Sequence, residues 1–228
     1  MTNRDSSKAS SDDLLRVLRS HDSSDDELCD AAQWLIELGD EKAIETLLHR
    51  LDSESDSPWV RRELIIALGS LVLLSSRDHP EVADRLLRIL TSSEHEEVRE
   101  SAALTLGNLG DTRAVVPLLE ILESSETGLV YACTAALGSI GDHRALDPLI
   151  KLLEADEFLV PQTAAQGLGK LGMDAERALP GLRKLAERGN QTERRLALEA
   201  ISSIERDLGQ KKERTEGNKQ AGSRRDPA

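Results

Sequence analysis

Apolar positions along most of this chain fall at helical spacing. Val98, Ala102, Ala103, Leu106 and Leu109 follow the i, i+4, i+5, i+8, i+11 stripe of one helix face, and Ala114, Val115, Leu118, Leu119 and Leu122 form a second stripe after it. Gly110-Asp111 stands between the stripes. Glycine accepts the left-handed conformation that ends a helix, and an aspartate carboxylate can receive the first amides of the next. The pattern therefore predicts a helical hairpin. Further starts are predicted at Pro58 after Ser57 and at Pro80 after Asp78-His79, because proline suits a first helical position. Ser93 with Glu96 three residues on predicts a capping box.

The hairpin recurs. VRESAALTLGNLGDTRAVVPLLEILESSE (98–126) is followed by LVYACTAALGSIGDHRALDPLIKLLEADE (129–157). Gly107, Gly110, Asp111, Ala114, Pro117 and Leu118 return 31 residues later as Gly138, Gly141, Asp142, Ala145, Pro148 and Leu149. A third copy keeps phase at Gly169 and Gly172, then slips by one, so that Pro180 falls 32 residues after Pro148. Earlier copies lie at 28–51 and at 59–90, the latter longer in its middle. Asp12–Arg19 reads as one helix without its partner, and Glu193–Leu208 as a single terminal helix. Such short hairpins cannot bury an apolar stripe alone, whereas stacked neighbours can. The predicted fold class is all-α: an α-solenoid, a right-handed stack of antiparallel helical hairpins, with about five repeats plus terminal capping helices. Its limits are predicted as a disordered segment at 1–11, the solenoid at 12–208, and a disordered basic tail at 209–228.

The repeated line VR…AA.ALG.LGD.RA…PLL.LL resembles HEAT repeats, in particular the short variety of phycobilin lyase subunits (PBS lyase HEAT-like repeats) and of many bacterial proteins. The resemblance covers roughly residues 25 to 205. It implies second helices on a concave face and, as usual work, holding another macromolecule. The positions that match build the stack, so they speak to fold and not to chemistry.

Composition narrows the function. The chain has 228 residues, 39% of them apolar, yet aromatics are only 2%, so the core must be Ala, Leu, Ile and Val. Small side chains such as Ala102, Ala103, Ala135 and Ala136 let helix axes approach closely. No run of about 18 apolar residues exists to span a bilayer, and MTNRDSSKASSDD lacks the apolar centre of a secretory signal. Two cysteines, Cys29 and Cys133, make no disulfide framework and fit a reducing compartment. Both fall at core-facing helix positions, as small buried hydrophobes. The expected location is cytoplasmic. The net charge is −13, with a tail of +3 on a body of −16, which argues against general binding to nucleic acid. A DNA-glycosylase-like reading of the repeats fails on the same charge and on the lack of an aromatic stacking platform.

Motifs with chemical meaning are few. GLGKLG (167–172) spells the G-x-G-x-x-G dinucleotide fingerprint, but its glycines close a helix where the fingerprint requires them to open one. His95-Glu96 invites comparison with the His-Glu pairs of deoxyhypusine hydroxylase, yet the positions one repeat on are Glu126-Thr127, and the pair reads as a solvated capping turn. No catalytic residue, metal site or cofactor is predicted. Arg61 and Arg99, near the starts of first helices, are expected to reach the adjacent inter-helix turn. Pro161 replaces the Arg99 or Val130 of other repeats, so its helix should start late, near Leu159, or kink, with Phe158 beside it.

One constellation suits binding. Lys42, Arg113, Arg144 and Arg177 each lie just inside the second helix of a repeat, and stacking would align them as a basic ladder. With Val116, Glu120, Asp147 and Lys151 they form the expected partner surface, meeting the carboxylates of a protein with an acidic segment. The competing expectation is that each cation pairs with a neighbouring acid such as Glu41, Asp111, Asp142 or Glu176. The function expected is a non-enzymatic protein–protein interaction scaffold; the alternative is a phycobilin lyase-like or chromophore-handling subunit.

Overall fold

The computed structural model describes residues 9–52, 56–92, 95–123, 129–157 and 159–222, without the side chains of 173 and 212–222. All regular structure among them is helical: α1 (Ser11–Arg19), α2 (Asp25–Leu38), α3 (Lys42–Arg50), α4 (Pro58–Leu74), α5 (Pro80–Leu90), α6 (Glu96–Leu109), α7 (Val115–Glu123), α8 (Val130–Ile140), α9 (Leu146–Leu152), α10 (Val160–Lys170), α11 (Leu179–Arg188) and α12 (Gln191–Gly222). Short 3-10 segments, Thr112–Ala114, His143–Ala145 and Gly172–Ala178, lead into α7, α9 and α11. The fold class is an all-α solenoid of helical hairpins.

Chain packing divides the molecule into residues 1–136 and 137–228. In the first unit, α2/α3, α4/α5 and α6/α7 are hairpins, and α1 packs on α2 and α3. α1 starts one residue before the sequence predicted. Ser10 caps it in a reciprocal box with Asp13, and Ser11 Oγ bonds the Asp40 carboxylate. Its Leu14, Leu15 and Leu18 are buried, so the unpaired helix covers the stripe that α2 and α3 would otherwise expose. The core of this unit is aliphatic, with Leu28, Leu35, Leu47, Leu64, Leu68, Leu86 and Leu106 all buried. Trp34, Trp59 and Tyr131 lie outside it, 37%, 42% and 44% exposed. Gly107 shows why: a Cβ there would stand 2.6 Å from the Ala136 Cα, a helix approach that leaves no room for rings.

In the second unit, α10 and α11 both pack on α12, whose Leu196, Ala197, Ala200 and Ile204 are buried. α8 and α10 cross closely, and a Cβ on Gly138 would lie 2.6 Å from the Gly167 Cα. The tail differs from its expectation. Residues 209–222 continue α12 as helix. Elongating a formed helix avoids the nucleation cost, and the Lys, Glu and Gln residues of this stretch, good helix formers, offset its three glycines.

Helix boundaries follow local chemistry. Gly110 and Gly141 take φ of 69° and 71°. Asp111 and Asp142 then accept the amides of Arg113 and Arg144 at 2.9 Å each, and Asp40 accepts that of Lys42 at 3.0 Å. Pro58 and Pro80 are first helical residues, as predicted. The Ser93 of the predicted capping box lies outside the described residues; α6 begins at Glu96 with His95 as its cap residue. α10 starts late, at Val160, with Pro161 in its first turn and Leu159 at φ 72° as the residue before it. The kink alternative does not occur there, and Phe158 lies outside the described residues.

Candidate partner-binding surface

The predicted ladder cations sit where the second helices begin, and the arginines are already engaged. Arg113 Nη2 meets Asp111 Oδ2 at 2.7 Å, and its Nη1 meets Asp84 Oδ1 at 2.6 Å. It thereby ties its own turn to α5 of the preceding hairpin. Arg144 grips Asp142 at 2.8 Å, and Arg177 meets Asp147 at 3.2 Å. Two residues predicted to face a partner, Arg177 and Asp147, thus face each other. Lys42 stays exposed, bound to the turn through its backbone only among the described residues. The carboxylates respond to this company. The Arg144 guanidinium and amide hold the Asp142 carboxyl down at about 2, and Arg113 lowers Asp111. Asp111 and Asp84 in turn raise Arg113 further.

Val116 and Glu120 on α7, and Asp147 and Lys151 on α9, are all exposed. Beneath them Ala114 and Leu118, and Ala145 and Leu149, are buried at the matching repeat positions. The two hairpins therefore present the same backbone register with different side chains: Val116 where the next repeat has Asp147, and Glu120 where it has Lys151.

Other arginines serve the stack. Buried Arg61 donates to the Leu51 carbonyl at 3.2 Å, and Arg99 to that of Leu90 at 3.0 Å. These carbonyls lie at the C-terminal ends of α3 and α5, where the helix leaves acceptors unused. Arg194 does the same for Ala186 of α11 at 3.0 Å. α10 carries Pro161 in place of such an arginine, and Arg188 supplies the bond to Leu153 at 3.0 Å from α11. The periodic line does not mark Arg188. Nor does it mark Arg50, which donates to the Ser20 carbonyl at 2.7 Å and forms a buried pair with Asp56 at 2.5 Å.

The glycines of 167–172 serve packing and turning. A Cβ on Gly169 would stand 3.1 Å from the Ala200 Cα, and Gly172 ends its turn at φ 57°. His95 and Glu96 are exposed. Among the described residues no group of three or more His, Cys, Asp or Glu is placed to hold a metal, and no helix is long and apolar enough to cross a membrane. Cys133 is buried, but Cys29 is only half-buried, a correction to its predicted core position. Burial and the neighbouring Glu63, Asp25, Asp26 and Asp30 push its thiol up to about 11.

The sequence reading missed an apolar surface on the first helices. α4 spans 17 residues against 14 for α2 and α6. Its surplus, LVLL after Gly69-Ser70, leaves Leu73 and Leu74 60% and 64% exposed. The extra length of that repeat was the available signal.

Stacked helical hairpins with Gly-Asp turns and carbonyl-capping arginines define an α-solenoid. A family model of HEAT repeats matches residues 54–132 and 117–202, and one of the PBS lyase HEAT-like repeat matches 28–53. The chain belongs to the HEAT-repeat family. No curated protein sequence matches it. Among solved structures it is similar to a designed armadillo repeat protein in complex with the peptide (KR)4, with a TM-score of 0.64 and 19% identity over 86% of this chain and all of that one. It is also similar to the complex of CpcE and CpcF of phycocyanin lyase from Nostoc sp. PCC7120, with a TM-score of 0.65 and 24% identity over 86% of this chain and 77% of that one. At such identities the likeness speaks to fold alone.

Proposed function

We propose that the chain is a non-enzymatic scaffold that holds a partner protein against the exposed side of its second helices. The observation that carries this reading is the paired register of Arg113, Val116 and Glu120 with Arg144, Asp147 and Lys151 over buried alanine and leucine. A framework that varies only its outward residues can change what it recognises without changing its core. The ladder arginines already hold carboxylates, so an acidic segment of the partner would meet Lys42 and Lys151 first and compete for Arg113, Arg144 and Arg177. A cytoplasmic setting belongs to the same proposal and rests on the low cysteine content. The test is quantitative capture of a partner from the native cell with wild-type bait, repeated with Lys42→Glu/Lys151→Glu and with Val116→Asp. Loss of the same partner supports the surface; unchanged recovery removes it.

A second reading is a chromophore-handling subunit, favoured by the PBS lyase HEAT-like match at 28–53 and by the likeness to the phycocyanin lyase complex. New visible absorbance on mixing with a bilin and an apo-phycobiliprotein would support it.

A further inference from the structure

The first helices of residues 1–136 carry a groove that the stack does not fill. Ile66, Gly69, Ser70 and Leu73 of α4 form one wall, and Ser101, Leu104, Thr105 and Asn108 of α6 the other, around about 210 Å³. Pockets for cofactor-sized molecules run from about 300 to 1,000 Å³, so this one suits a single anchoring side chain. Its floor is at Gly69, which approaches the Thr105 methyl closely. Its apolar lip is open to water, with Ile66 43% and Leu73 60% exposed, although the equivalent turns of other repeats are polar Gly-Asp.

Charge decides what fits. Glu63, one turn before Ile66, is already paired with Arg62 at 3.0 Å, which leaves Glu100, one turn before Leu104 and partly buried, as the acid that faces an incoming charge. Burial and the nearby Glu96 and Glu97 raise the Glu100 carboxyl, an electrostatic cost that an incoming cation would relieve. A second copy of this chain, with net charge −13, would bring like charge to this face. Residues 209–228 are basic but nearly devoid of apolar side chains, so they cannot supply the anchor.

We infer that the α4/α6 groove docks an amphipathic basic helix of another protein, with an apolar side chain between Ile66, Leu73 and Leu104 and a Lys or Arg against Glu100. This face is distinct from the second-helix surface proposed above, so either can fail alone.

The probes are three labelled 18-residue peptides: a Leu/Lys helix with one apolar face, its scrambled counterpart of equal composition, and a Lys/Ser peptide without apolar residues. Fluorescence anisotropy should show the amphipathic helix binding at least tenfold more tightly than the other two. Ile66→Ser/Leu73→Ser should weaken it at least tenfold, with Leu73→Ser alone as the milder variant if the pair misfolds. Glu100→Gln should weaken it several-fold and flatten the salt dependence. Leu198→Ser on α12, an exposed leucine elsewhere, should change nothing. Photo-crosslinks from the apolar face should land within residues 58–109. Equal binding of all three peptides, indifference to Ile66→Ser/Leu73→Ser, or crosslinks elsewhere would overturn the inference. So would wild-type self-association, read by sedimentation, that Leu73→Ser abolishes, since a second copy would then cover the groove.

Discussion

Replacing Gly138 with alanine isolates the packing principle of this fold from its helix chemistry. Gly→Ala inside a helix is ordinarily favourable, by about 0.8–1 kcal/mol. At Gly138 the new Cβ would sit 2.6 Å from the Gly167 Cα, a backbone atom that cannot rotate away. Carbon contacts relax only near 3.5–4.0 Å, so α8 and α10 must separate by about 1 Å, and every buried contact along their seam loosens. Overpacking of this kind costs about 1–3 kcal/mol. Against a backbone atom the upper part of that range applies, about 2–3 kcal/mol. Less the propensity gain of about 1 kcal/mol, the net loss should be about 1–2 kcal/mol, which lowers Tm by roughly 2–8 °C in a chain of this size. Gly209 provides the opposite case: it lies in α12 with nothing within 4 Å of its Cβ position, so Gly209→Ala should raise helicity and leave Tm unchanged or higher. Circular dichroism at 222 nm during heating and urea titration measures both. Gly138→Ala as stable as wild type would refute the claim that helix contact at glycine holds these repeats together.

Four other outcomes follow from the side chains. Asp56→Ala strands the buried Arg50 guanidinium, whose carboxylate partner sits at 2.5 Å, and should cost about 3–5 kcal/mol in urea titration. Glu199→Ala removes an exposed partner of Arg195 at 2.7 Å and should cost about 0.5 kcal/mol or less; equal losses would contradict the burial argument. Asp142 falls from an ordinary 3.8 to about 2 in the folded chain. Its contribution is complete above about pH 5 and is lost as pH falls through the folded value. The Tm gap between wild type and Asp142→Asn should therefore close between pH 5 and pH 2, and a gap that stays constant counts against the Arg144 pair. Cys29, raised from 9.0 to about 11, should react with Ellman's reagent at pH 8 about tenfold more slowly than an ordinary thiol, since a roughly hundredfold smaller thiolate fraction is partly offset by the greater nucleophilicity of a more basic thiolate; a normal rate would show that its acidic, half-buried surroundings do not act on it.

The stack was legible because its causes are local and repeated. Apolar stripes at helical spacing, Gly-Asp turns and a 31-residue period each constrain the same backbone, and Gly110 and Gly141 adopt the left-handed conformation that the pattern required. Even the exception at Pro161 announced a late helix start. The C-terminal boundary was less legible, since polarity at 209–222 excludes a core but does not forbid a helix that elongates from one already formed. Position in a repeat also overstated burial at Cys29, which is only half-buried.

The candidate surface was harder to read for a physical reason. A repeat line reports what each unit shares, and whatever is shared is under the same geometric demand in every unit. Arg113 and Arg144 recur because a guanidinium two residues after a capping aspartate clamps that carboxylate, and Arg113 reaches back to Asp84 as well. Recurrence thus favours residues already satisfied within the chain. Recognition belongs instead to positions where equivalent sites differ, such as Val116 against Asp147, or where one unit breaks the length rule, as α4 does with Leu73 and Leu74. The sequence signals for binding in a solenoid are therefore its departures from period, and the most exposed large apolar side chains among the described residues, Leu73 and Leu74, lie at its longest first helix.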